Sequence, residues 1–253
     1  MVRAYKRDVV VGRIGGLKMA SDEEGPYRLR AASDVPYPGT YGYGHHEGFL
    51  DKLVGGLAAI VRVTVATAIL SAWLAGVYLY RDTPMEVFGI GTGWLTLAHL
   101  LVPLGFYCVF MTNRRYGPAY AFAQVVSTLA LVAALVLFAR DTLDSFIPLA
   151  HAPALREALA FIGSFFFASF VAIVAFDGAR GPHWWTAPLI GFLVAAVLFA
   201  SAFFAFQFAG TPTDWLGQSL SFMGLAAGEG LLLLIPFWVM RRMVPPMAGF
   251  GGY

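Results

Sequence analysis

From Gly55 to Met240 the chain is a series of long apolar stretches, each bounded by a polar segment: Gly55–Tyr80, Thr92–Thr112, Pro118–Ala139, Ala158–Phe176, Ala187–Phe208 and Ser219–Met240. A helix rises about 1.5 Å per residue, so about 20 apolar residues cross a hydrocarbon core of about 30 Å. The predicted fold class is therefore all-α: a polytopic membrane protein, a six-transmembrane-helix bundle with an N-terminal cytoplasmic extension. Composition agrees. Hydrophobic residues make up 58% and charged residues 13%, where a soluble domain carries about 25% charged residues. Lipid is the expected surrounding. A net charge of +2, with no basic patch interleaved with aromatics, gives no expectation of nucleic-acid binding.

The charges orient the spans. Of the 17 Lys and Arg, all but Arg81, Arg140 and Arg156 fall in the N-terminal region, the even-numbered loops or the tail. The odd-numbered loops instead hold Asp82, Glu86, Asp141, Asp144, Glu157 and Asp214. The positive-inside rule then puts both termini in the cytoplasm, as an even number of spans requires. The expected location is the inner (plasma) membrane of a bacterium.

Three regions follow: an arm over residues 1–52, extended or disordered; a transmembrane domain over 53–243; and a short tail over 244–253. No signal peptide is visible, because the basic start at Arg3–Arg7 is not followed by a sufficient apolar run. Within the arm, PYPGTYGYG at Pro36–Gly44 predicts extended backbone, with Tyr37, Tyr41 and Tyr43 as anchors if the arm lies along a partner. His45, His46 and Glu47 are adjacent in sequence, a poor arrangement for converging on one metal ion.

Chemistry in such a protein is sought among polar groups inside the spans, since burying them is costly unless they are paired or hydrated. These are His99, Gln124, Ser127, Ser164, Ser169, Gln207 and Glu229. Glu229 is the most informative, because Gly228 and Gly230 flank it and admit close helix approach. His99 is its candidate partner. Glu229, His99, Gln124 and Gln207 form the candidate substrate-binding or coupling set; the alternative is that each simply bonds a neighbouring helix. Pro103 and Pro236 are expected to kink the second and sixth spans. Trp94, Trp184, Trp185, Trp215 and Trp238 fall near span ends, where an interfacial belt is expected. No GxSxG, P-loop or HExxH motif is present, and GIGTGW at Gly89–Trp94 does not follow a strand. No enzyme, cofactor or metal is expected; the single cysteine, Cys108, forms no internal disulfide.

Two segments carry a resemblance. WLTLAHLLVPLGFYCVFMTNRRYGP (Trp94–Pro118) is a proline-bearing span ending in TNRRYGP. FDGARGPHWWTAPLIGFLVAAVLFASAFFAFQFAGT (Phe176–Thr211) has an FD…R…WW…AP loop before a span ending in AF-x-GT, and LLLLIPF closes the last span at Leu231–Phe237. These resemble the queuosine precursor transporter family, also called the VUT family. The resemblance implies six spans, cytoplasmic termini and descent from a carrier of small heterocycles. It places the family's intramembrane polar groups at Phe110, Ala172, Phe199, Ala200, Phe222 and Ala226, all apolar here. The matching Thr112, Asn113, Arg114, Arg115, Asp177 and Trp185 fall at span ends. Two functions remain open. One is a transporter of a small-molecule substrate, using the replacement polar set. The other is a structural or accessory subunit of a larger membrane complex, its Phe-rich helix faces and N-terminal arm binding partner helices, lipid or a hydrophobic pigment.

Overall fold

A computed structural model describes residues 12–14, 17–19, 49–89, 93–138 and 155–246. They fall in two units, Met1–His45 and His46–Tyr253. In the first, β1 (Gly12–Ile14) pairs antiparallel with β2 (Leu17–Met19), Arg13 opposite Lys18. This is a short hairpin within the segment expected to be extended or disordered. Tyr37, Tyr41, Tyr43, His45, His46 and Glu47 lie outside the described residues.

The second unit is helical: α1 (Phe49–Leu79), α2 (Leu97–Tyr116), α3 (Pro118–Phe138), α4 (Leu155–Gly178), α5 (Thr186–Phe208) and α6 (Trp215–Met240). Among the described residues, four helices are long and apolar enough to cross a membrane: α1 over Leu53–Leu79, α4, α5 and α6. The chain is a multi-pass integral membrane protein. In α3 the apolar stretch is shorter, Pro118–Ala134. Helix α2 ends in the polar run TNRRY, yet it touches all five other helices. The hub of the bundle is thus its most polar helix.

The start of α2 is set locally. The sequence pattern runs the second span from Thr92, but the helix begins at Leu97. His99 Nδ1 accepts from the Thr96 backbone N–H (3.2 Å) and lies 2.8 Å from Thr96 Oγ1. This reciprocal bonding occupies groups that a helix N-terminus otherwise leaves unsatisfied. The chain before it is pinned by Met85 N–H donating to Leu95 C=O and Leu97 N–H to Thr83 C=O, both 2.9 Å. At the other end, Gly117 takes φ 88°, where a side chain would be strained, and donates to Asn113 C=O at 2.9 Å. Pro118 then opens α3 in the position where its missing N–H costs least.

Helix α1 is the peripheral member. Leu53, Leu57, Ile60, Val61, Val65 and Ile69 are exposed along it, as suits a lipid-facing stripe. Its inner face is held by three polar contacts. Trp73 donates its indole N–H to Leu101 C=O of α2 at 2.7 Å. Gln124 of α3 donates to Ala66 C=O at 2.9 Å, and Thr128 of α3 to Thr67 C=O at 3.4 Å. The Trp73 ring lies where a Cβ on Gly105 would stand, so glycine is what lets α1 and α2 come this close.

Between α2, α4, α5 and α6 the interior is aromatic. Phe110, Phe165, Phe176, Phe199, Phe204, Phe222 and Phe237 are almost completely buried. Phe106 and Phe165 stack with centroids 4.9 Å apart, and Phe110 meets Phe192 edge-on at 5.1 Å. Such offset and edge-to-face pairs are the favoured ring geometries, each contributing about 0.5–1.5 kcal/mol beyond area burial. Small residues make the room: Ala168, Ala172, Ala195 and Ala200 are fully buried between the rings.

Candidate functional site

The positions aligned with the resembled family's polar groups come from four helices, and all six are buried: Phe110 (α2), Ala172 (α4), Phe199 and Ala200 (α5), Phe222 and Ala226 (α6). Phe199 and Phe222 face each other with centroids 6.0 Å apart. Together with Ala226, Phe106 and Pro103 they line a cavity of about 10 Å³. That is room for about one water molecule, and its walls are almost wholly apolar. A heterocycle does not fit.

The four replacement polar residues do not assemble there. No hydrogen bond or ion pair joins any two of them. His99 is committed to Thr96, and its ring is enclosed by Trp94, Phe203, Phe204 and Phe222 at centroid distances of 5.7–6.0 Å. It is a helix-start residue in an aromatic box rather than a partner for Glu229. Gln124 faces α1, with its side-chain carbonyl buried and unpartnered. Gln207, near the end of α5, likewise buries an unpartnered oxygen. Glu229 sits beside the inner face of α6, which runs through Ser219, Phe222, Ala226, Gly230 and Phe237. One of its carboxyl oxygens is buried without a hydrogen-bond partner. Gly230, not Gly228, carries the close approach: a Cβ there would meet Phe192 at 2.8 Å, while Gly228 has open space.

The dense polar chemistry lies at one end of the bundle, where α2, α4 and α6 end and α5 begins. Arg180 donates to Asp177 at 2.7 Å and to Asn113 C=O at 3.0 Å. Asn113 is fully buried and donates to Ile173 C=O at 3.4 Å. Arg114, only 5% exposed, donates to Val244 C=O at 3.1 Å. Burial first, and then the neighbouring Arg180 and Arg241 charges, lower its pKa. Arg241 lies over the Trp184 ring at 5.2 Å. Asn113 of the TNRR segment and Asp177 and Arg180 of the FD…R…WW segment therefore form one physical object, a clasp tying the end of α2 to the α4–α5 turn. Comparison with protein-family models, curated proteins and solved structures gives no match.

Sequence reasoning passed over Trp73 and gave Arg180 only a topological role. Each had a signal. Trp73 stands mid-span, away from the belt at the span ends, opposite a glycine in the middle of α2. Arg180 follows Asp177 by three residues, the spacing of a helical ion pair.

Proposed function

We propose that this chain is a non-transporting membrane subunit: a six-span bundle with both termini in the cytoplasm, descended from a small-heterocycle carrier, whose outer aromatic faces bind partner helices, lipid or a hydrophobic pigment. One observation carries the reading: the expected ligand chamber is occupied by Phe199, Phe222 and Ala226 and retains only about 10 Å³. A carrier must hydrate and close around its cargo, and this cavity has neither the volume nor polar walls. The outward side supports the same reading. Phe166, Phe167 and Phe170 of α4 are exposed and, with Leu159 and Val174, form one helical stripe. Lipid alone is satisfied by aliphatic side chains; clustered phenylalanines offer ring surfaces to a neighbour.

A transporter reading survives on one feature, the buried unpartnered oxygens of Glu229 and Gln207. Reconstitution separates the two. Proteoliposomes of the full chain are expected to show no time-dependent uptake of a radiolabelled deazapurine, and mild-detergent purification to yield stoichiometric membrane partners. Uptake that is abolished by Glu229→Gln would establish transport and discard the subunit assignment.

A further inference from the structure

Among the described residues, the clasp end of the bundle holds more positive charge than carboxylates neutralise. Arg114 and Arg180 line one notch, and Arg241 lies 5.2 Å over the ring of Trp184, which lines it too. Asp177 supplies one carboxylate, 2.7 Å from Arg180. Among the described residues no carboxylate forms an ion pair with Arg114 or Arg241. A guanidinium as buried as that of Arg114 is normally paired or coordinated. Beside it opens a notch lined by Arg114, Arg180, Gly181, His183 and Trp184, with Ala187 from the first turn of α5. Trp185 at the α5 N-cap supplies no side-chain cap, so the positive end of a 23-residue helix adds to the same field.

We infer that this notch is a binding site for a phosphate group, in which Arg114 supplies the charge from the wall and Arg241, 5.2 Å over the ring of the lining Trp184, adds to it from the edge. Arginine suits this task because its planar fork presents paired donors to phosphate oxygens. The notch has about 10 Å³ of internal room, enough for one phosphate oxygen to enter while the remainder of the group stands at the mouth. That geometry fits the phosphodiester of an anionic lipid at the bundle edge, and basic pockets between membrane helices are suited to such head groups. A free phosphate species presents the same oxygens.

The test uses the full chain, delipidated in mild detergent and examined by native mass spectrometry with added phosphatidylglycerol or phosphatidylcholine. The wild type is expected to retain phosphatidylglycerol over phosphatidylcholine by roughly tenfold, the discrimination expected of one charge-assisted contact pair. Arg114→Gln and Arg241→Gln should each remove that preference, while Arg115→Gln, an exposed arginine over Tyr116, should keep it. If Arg114→Gln does not fold, Arg241→Gln carries the test, since Arg241 makes no clasp hydrogen bond by its side chain. Millimolar inorganic phosphate identifies the source: phosphatidylglycerol retained in its presence marks a lipid site, and displacement marks a site for soluble phosphate. Equal phosphatidylglycerol retention by the wild type and both variants, with no effect of phosphate, overturns the inference.

Discussion

The middle of the bundle and its arginine-rich end solve opposite problems. In the middle, α2, α4, α5 and α6 meet through rings and alanines, and the cavity lined by Phe199 and Phe222 is almost free of polar surface. At the end, Asn113, Asp177 and Arg180 form a bonded network beside two more guanidiniums. The first region is packed with apolar cavity walls, whereas the second ties helix ends together through buried polar contacts. Burial is met by ring packing in the first and by hydrogen bonding in the second.

The comparison breaks most readily in the middle. Phe110→Asp places a carboxylate among Phe106, Phe176 and Phe192. Burying a carboxylate against these rings costs several kcal/mol, so thermal scans in detergent should show little or no folded protein. Near-wild-type melting would mean that the interior is wet. Gly105→Leu comes next, because the Trp73 ring fills the space its side chain needs. Overpacking of this kind costs about 1–3 kcal/mol, read as a lowered midpoint and weakened attachment of α1. At the end of the bundle, Asn113→Ala leaves the Ile173 carbonyl without its side-chain donor and removes an acceptor for Arg180. The expected loss is about 1–2 kcal/mol, and an Asn113→Ala variant as stable as the wild type would show that the clasp is decoration. The smallest change is Gln124→Leu, which removes one hydrogen bond to Ala66. Interhelical bonds in membranes average about 0.6 kcal/mol, so the midpoint should move little.

The helical core of the fold was readable because apolar length is a strong signal: the expected boundaries of α3, α5 and α6 lie within a few residues of the helices. Helix α2 was placed five residues early, since apolarity continues past the point where His99 and Thr96 fix the start. The site was less legible. Hydropathy singles out polar residues one at a time and carries no information on what each faces. His99 and Glu229 looked like partners because both are rare groups in spans, yet one is bonded to its own helix start and the other lies beside the inner face of α6. The facing of Phe199 and Phe222 is not readable from periodicity, because α5 is apolar all round and offers no face to read.

Solvent access to the centre of the bundle decides between core and chamber. In a Cys108→Ser background, cysteine is introduced at Ala226, and separately at the exposed Arg242 as a control, and native membranes are treated with a membrane-impermeant thiol reagent. A filled interior predicts rapid labelling at position 242 and none at 226. Labelling at 226 at a comparable rate, slowed by an added deazapurine, would contradict it.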